Sequence, residues 1–381
     1  NVIVRILYEL GATVKVINDN TVEIDPKHIN SYILSSEMSS KMRASSYFIG
    51  AMLGRFKKAR VAPPGGCDFG VRPIDQHIKG FEALGAHIDV RNGKIEAEAN
   101  SGLHSANIYF DTVSVGATMN VMLAAVMAKG TTIMENVAKE PHIVDLANFL
   151  NSMGAKVSGA GTDVIKIRGT QNMHSCTYSI IPDQIEAGTY MVAAAAVGGD
   201  VIIQDVIPKH LESITNKLEE CGVTVIEGDD SIRVVSNIER PNACRVKTRP
   251  HPGFPTDMQP QMAVLLTTCK GTSHVVESVW DNRFKYTQQL KRMGANIIVD
   301  GKTAIITGVN NLNGAPVEAD DLRAGAAMII AGLCAEGETA ISNIHYIDRG
   351  YENFVEKFRD LGADIYRKEF DDNDRKAVSA G

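Results

Sequence analysis

The chain has 381 residues, is 44% hydrophobic and 22% charged, and carries a formal net charge of -6. That length suggests two or three domains with a sizeable core, and the acidic balance argues against a nucleic-acid or membrane-surface partner. It leaves room for a local basic pocket that takes a small anion. Aromatic residues make up only 6%, with one tryptophan, Trp280, so the core is expected to be aliphatic. The cysteines stand at 67, 176, 221, 244, 269 and 334, with no Cys-x-x-Cys pair and no histidine cluster. Neither a disulfide framework nor a zinc site is indicated, and a reducing, cytoplasmic setting is the simplest expectation. The longest apolar run, Met119 to Ala128, is well short of the ~20 residues that a membrane span needs.

The chain opens at Asn1, already inside an amphipathic helical pattern (Val2, Ile3, Ile6, Leu7, Leu10), so an element before it is expected. Leu10-Gly11-Ala12 then ends the helix and starts an alternating strand. The same signature returns at Leu84-Gly85-Ala86, Met153-Gly154-Ala155, Cys221-Gly222-Val223, Met293-Gly294-Ala295 and Leu361-Gly362-Ala363, with the glycines 68 to 74 residues apart. Glycine suits the left-handed residue that ends a helix. Turn sequences such as Asn18-Asp19-Asn20 and Val299-Asp300-Gly301 predict a second strand after the first. Between these copies, apolar helices are expected to end at Gly130, Gly198/Gly199, Gly271 and Gly337, each before a further strand.

The predicted unit is therefore helix, glycine, strand, turn, strand, apolar helix, strand. One such unit cannot bury its apolar faces alone, so several must pack together. Spacing leaves two arrangements open, a six-unit array or two domains of three units each. Ile180-Ile181-Pro182-Asp183 is a plausible crossover, giving domains at 1–181 and 182–371 and a polar tail at 372–381 without expected regular structure. With two domains, a ligand site is expected in the cleft between them.

Several loops carry chemistry. Pro63-Pro64-Gly65-Gly66-Cys67-Asp68-Phe69-Gly70-Val71-Arg72-Pro73 cannot be regular secondary structure, and it sets a thiol five residues from a guanidinium. That setting favours a reactive thiolate, although a surface turn with an incidental cysteine reads equally well. Arginines recur beside glycine, proline or a helix start at Arg43, Arg72, Arg283, Arg323 and Arg349. Each alone reads as a surface partner of a nearby aspartate. Five at repeat-equivalent loops favour a site for phosphate and carboxylate groups. Asp257, in Phe254-Pro255-Thr256-Asp257-Met258-Gln259, suits either a helix cap or a general base. Thr112-Val113-Ser114-Val115-Gly116 begins an apolar helix and offers hydroxyls and amides to an anion, or simply a cap.

Taken together, these segments resemble the UDP-N-acetylglucosamine 1-carboxyvinyltransferase family. The likeness rests on Pro64-Gly65-Gly66-Cys67 through Arg72-Pro73, Phe254 to Gln259, Asp281-Asn282-Arg283-Phe284, Asp321-Leu322-Arg323-Ala324-Gly325 and Asp348-Arg349-Gly350-Tyr351. The resemblance implies an α/β fold of two inverted, barrel-like domains, each with three βαβαββ-type units around a helical core. It implies transfer of the enolpyruvyl group of phosphoenolpyruvate to the 3'-hydroxyl of UDP-N-acetylglucosamine, with release of phosphate, in peptidoglycan synthesis. It implies no cofactor and no metal.

The resemblance also implies roles by position. Cys67 would supply a proton to the phosphoenolpyruvate methylene, and Asp257 would be the base near the attacking hydroxyl. Arg72, Arg323 and the catalytic Arg349 would hold the donor's phosphate and carboxylate. Arg43, the run Arg72, Pro73, Ile74, Asp75 and Gln76, the run Thr112 to Gly116, Val279 and Arg283 would serve substrate binding. The family's N-terminal lysine-asparagine pair has no match here, and Gln184 stands where a basic residue is expected. A shikimate-pathway enolpyruvyl transferase would share the fold and donor but is not expected to need Cys67. A non-catalytic nucleotide-sugar sensor is the more distant alternative.

Overall fold

The computed structural model describes residues 2–62, 74–91 and 93–368. The expected polar tail at 372–381 lies outside them. The chain divides into two compact units, one of Asn1–Ile181 with Pro250–Pro252, the other of Pro182–Arg249 with Gly253 onward.

The repeat glycines do what a left-handed residue at a helix end must do. Gly11, Gly85, Gly154, Gly222, Gly294 and Gly362 have φ between 86° and 97°. At the first, Gly11 N donates to Tyr8 O and Ala12 N to Leu7 O at 3.0 and 2.9 Å, capping carbonyls that the helix leaves open. The apolar helices depart from the expected glycine ends. Only Gln184–Val197 stops at its glycine, Gly198, whereas Val115–Ala125, Gln259–Thr267 and Leu322–Leu333 close in right-handed caps at Val126, Thr268 and Cys334, before Gly130, Gly271 and Gly337. Tyr47–Phe56 ends at Lys57, which takes φ 60° itself.

Three full βαβαββ units follow from this grammar. In the first unit of the molecule, Ile33–Leu34 runs parallel to Lys58–Val61, which pairs antiparallel with Lys94–Glu98 and, beyond it, His87–Arg91. Asn107–Tyr109, Thr131–Glu135, Val164–Arg168 and Lys156–Ser158 repeat that order. In the second unit, Arg245–Lys247, Thr272–Val276, Thr303–Thr307 and Asn296–Asp300 do the same. The expected two-domain α/β architecture is present, with no closed barrel among the described residues. Every sheet there remains open, and the three four-stranded ones have a parallel strand on one edge and a hairpin strand on the other.

The strands alternate buried and exposed residues, as in Val164–Arg168, and lay one face on a helical core. In the second unit that core is three helices: Gln184–Val197, Gln259–Thr267 and Leu322–Leu333. They are apolar nearly all round, so they bury rather than face water. All nine residues of Gln259–Thr267 are buried, as are Ala324 to Ala331. In the first unit, Tyr47–Phe56 packs on Val115–Ala125 at very close range. A Cβ on Gly50 would sit 2.1 Å from the Asn120 carbonyl oxygen, so only glycine fits. Among the described residues no helix is long and apolar enough to cross a membrane.

Candidate active site

In the first unit, one buried amide gathers three of the expected binding segments. Asn120, on the Val115–Ala125 helix, donates from Nδ2 to Ser46 O at 2.7 Å and accepts the Gly50 N–H at 2.8 Å. The same Nδ2 lies 3.0 Å from His77 Nδ1 on the helix Asp75–Ala83. With Oδ1 spent on Gly50, Asn120 is the donor to His77, so a neutral imidazole there carries its proton on Nε2. That nitrogen faces Gly116, where an added Cβ would lie 3.0 Å away. Arg43 opens the short 3-10 turn Arg43–Ser46 that Asn120 secures.

A second tie joins the Ile74–Gln76 and Thr112–Gly116 segments. Gln76, 6% exposed, accepts the Asp111 N–H at 2.8 Å and donates to Asp75 Oδ2 at 2.7 Å. Lys79 reaches both Asp111 oxygens at 2.8 Å. Ile74 takes the position before that helix, and Asp75 is its exposed first residue. Ser114 caps the Val115–Ala125 helix, its Oγ accepting from Ala117 N at 3.2 Å. Thr112 and Val113 stay exposed just before it. Cys67, Arg72 and Pro73 lie outside the described residues.

In the second unit, the structure brings Asp257, Arg283 and Arg323 together. Asp257 sits in the 3-10 turn Thr256–Met258, ahead of the buried helix Gln259–Thr267. Its Oδ1 accepts from Arg283 Nη2 at 3.3 Å and its Oδ2 from Arg323 Nε at 3.4 Å. The helix after it starts without a side-chain cap. Asp257 is thus a partly exposed carboxylate shared between two largely buried guanidiniums. Arg283 is 3% exposed. Burial alone would lower the Arg323 pKa, yet the Asp257 carboxylate, with Tyr351 and Asp183, raises it above the ordinary arginine value.

Local sequence explains how these groups are presented. Asp321 accepts from Arg323 N at 2.8 Å and Ala324 N at 3.1 Å, so Arg323 leaves from the first turn of a capped helix. Arg323 Nε and Nη1 are committed to Asp257 and Tyr351. A guanidinium has five N–H donors, so several remain for an anion. Arg349, exposed at the end of helix His345–Asp348, lies over the Tyr346 ring at 5.6 Å. Asp183 caps the Gln184–Val197 helix, accepting from Ile185 N at 2.8 Å, and Gln184 is that helix's first residue.

One residue with no motif signal organises this region. Glu277, 1% exposed, accepts from Thr248 Oγ1 at 2.7 Å, Thr256 Oγ1 at 2.9 Å, Val279 N at 2.7 Å and Trp280 N at 3.1 Å. It therefore ties the residue before Asp257 to the loop that carries Val279 and leads to Arg283. Sequence reading passes over it because it looks like the end of an ordinary strand. Asn120 was equally hidden, being a polar residue in a helix whose partners lie 43 to 74 positions away. The Asp348-Arg349-Gly350-Tyr351 motif did contain a signal for Tyr351.

Comparison with known proteins identifies the family. Residues 1–358 match the model of the EPSP synthase (3-phosphoshikimate 1-carboxyvinyltransferase) family. A UDP-N-acetylglucosamine 1-carboxyvinyltransferase of Clostridium botulinum is 60% identical over 95% of this chain and 87% of that protein. A relative of the same name from Caldanaerobacter subterraneus is 57% identical over 95% and 86%. Among solved structures, the enolpyruvyl transferase NikO from Streptomyces tendae matches with a TM-score of 0.86 over 97% of this chain and 88% of that one, at 23% identity. EPSP synthase from Acinetobacter baumannii matches at a TM-score of 0.71 and 18% identity, over 97% and 88%. These last two attest the fold alone. By its sequence relatives, the chain belongs to the EPSP synthase family of enolpyruvyl transferases and, within it, to the UDP-N-acetylglucosamine 1-carboxyvinyltransferases.

Proposed function

We propose that this enzyme transfers the enolpyruvyl group of phosphoenolpyruvate to the 3'-hydroxyl of UDP-N-acetylglucosamine, releasing phosphate, as a step of peptidoglycan synthesis. The observation that carries the reading is the Asp257 carboxylate held between the guanidiniums of Arg283 and Arg323. That arrangement pairs a proton acceptor with positive charge that suits a phosphate or carboxylate. The names of the relatives at 57–60% identity supply the acceptor. The family's 3-phosphoshikimate acceptor is the second reading, and the presence of Cys67 disfavours it.

In this reading Asp257 takes the proton of the attacking hydroxyl as its oxygen bonds to C2 of phosphoenolpyruvate. Cys67 gives a proton to C3, so the double bond becomes a tetrahedral centre. Loss of a C3 proton and of phosphate from C2 then restores the double bond. Arg323, Arg349 and Arg72 hold the donor's two anionic groups, where fixed positive charge is worth most once water is excluded. Arg43, Ile74 to Gln76, Thr112 to Gly116, Val279 and Arg283 bind the nucleotide sugar. The reading needs no metal or cofactor and puts the enzyme in the cytoplasm, where free thiols persist.

The test is phosphate release from phosphoenolpyruvate with and without UDP-N-acetylglucosamine. Release that depends on the sugar supports the reading. Release that requires shikimate 3-phosphate instead would replace it, and binding of the sugar without any release would point to a sensor.

A further inference from the structure

A buried chain of hydroxyls and an amide runs from the helical core of the second unit to Arg323. Thr189, fully buried on the Gln184–Val197 helix, donates to Ile185 O at 2.7 Å. A hydroxyl has one proton. The Tyr351 oxygen is 3.0 Å away, and either hydroxyl could donate. We assign Tyr351 as the donor, because the Thr189 proton has Ile185 O to bond and the Tyr351 oxygen already takes an Arg323 N–H. The other Thr189 lone pair takes an N–H of the buried Gln261 at 3.1 Å. The Tyr351 proton is thus committed to Thr189, and the tyrosine oxygen turns its lone pairs to Arg323, whose Nη1 donates to it at 3.2 Å.

The ring is fixed as firmly as the hydroxyl. Tyr351 is 2% exposed and packs against Phe354 at 4.6 Å between centroids, while the Arg323 guanidinium lies 5.6 Å from the Tyr351 ring. Two anchors then define the guanidinium plane, Asp257 at Nε and Tyr351 at Nη1. A planar fork held at two points presents its remaining donors in one orientation.

We propose that Tyr351, with its proton direction set by Thr189 and Gln261, is a positioning residue that aims Arg323 at the anionic donor substrate. The inference rests on the functional reading above, in which Arg323 holds phosphoenolpyruvate. It assigns Tyr351 no contact with either substrate. The relay is directional. Removing the Thr189 acceptor leaves the Tyr351 proton without a partner and the hydroxyl free to rotate, which loosens the anchor even though Thr189 never touches Arg323.

The test measures steady-state phosphate release for wild type, Tyr351→Phe, Thr189→Val, Thr189→Ser and the Tyr351→Phe/Thr189→Val pair, with thermal unfolding followed separately. Tyr351→Phe is expected to raise the KM for phosphoenolpyruvate about tenfold, as loss of one charge-assisted hydrogen bond implies. The KM for UDP-N-acetylglucosamine should stay within about twofold, the spread allowed for a contact not made. Thr189→Val should reproduce the donor-specific defect, Thr189→Ser should relieve it, and the double variant should be no worse than either single one. A merely structural role would lower the unfolding temperature and leave the donor KM in place; that result overturns the inference, as do additive effects in the double variant. Wild-type protein without sugar-dependent release refutes the functional reading and the inference with it.

Discussion

Replacing Asp257 by alanine separates a base from a structural counter-ion. The carboxylate touches two guanidiniums, at 3.3 and 3.4 Å, both long for charge-assisted contacts. Its side chain is 43% exposed, so water screens both pairs, although Arg283 opposite is only 2% exposed at its side chain. Each contact is then worth about 0.5–1 kcal/mol, nearer a surface pair than a buried one. Alanine should cost about 1–2 kcal/mol of stability, a fall of about 2–8 °C in the unfolding of a unit of this size. Loss of a general base is a larger effect, about 100- to 10,000-fold in turnover. Turnover by coupled phosphate release, UDP-N-acetylglucosamine affinity by calorimetry and unfolding by differential scanning should therefore diverge. The expected pattern is turnover lost by at least about 100-fold, sugar affinity largely kept, and a modest thermal shift. Turnover above about a tenth of wild type, or sugar binding lost as fully as turnover, would refute the assignment of Asp257 as base.

Glu277→Ala removes a buried acceptor of four hydrogen bonds and strands two hydroxyls and two amides, so it should destabilise the protein by about 3–5 kcal/mol in urea unfolding. Gly50→Ala forces a methyl to 2.1 Å from the Asn120 carbonyl and should cost about 3 kcal/mol or more, with weakened sugar affinity if the segments that Asn120 gathers bind the sugar as proposed. Thiol alkylation should be selective. The Cys244 contact lowers the Cys221 pKa, but Cys269 and burial outweigh it and push the thiol up to about 12. Cys244 is raised by its bond to Cys221 and by burial, and burial pushes Cys334 up to about 12. Raised thiols stay protonated through neutral pH and gain reactivity only as pH climbs toward 12. At pH 8 an epoxide of the fosfomycin type should thus label Cys67 in sugar-loaded protein and spare these three. Peptide mass spectrometry checks this, and an adduct on Cys221 or none on Cys67 counts against it.

How far the chain could be read before its structure depends on the range of the interactions involved. Helix ends, hairpins and the βαβαββ grammar are local, set by a glycine that alone tolerates positive φ and by alternation over a few residues. The helix-ending glycine was legible six times over and the hairpin after it five times, since no strand follows Gly362 among the described residues. The helix that ends on Lys57 and those that close in right-handed caps at Val126, Thr268 and Cys334 carry no such mark. Asp257, Arg283 and Arg323 were legible as chemistry, since each stands in a loop with a recognisable neighbourhood. Their convergence was suggested by the repeat-equivalent loops, but which groups meet was not, because Asp257 and Arg323 are 66 positions apart and only the packing of two buried helices joins them. The open sheets, Glu277 at the centre of its loop, Asn120 between three segments and the proton order from Gln261 to Tyr351 belong to tertiary structure alone. A polar side chain in a helix looks the same on paper whether it faces water or a buried partner, and its role is decided only when burial leaves it a single partner to bond.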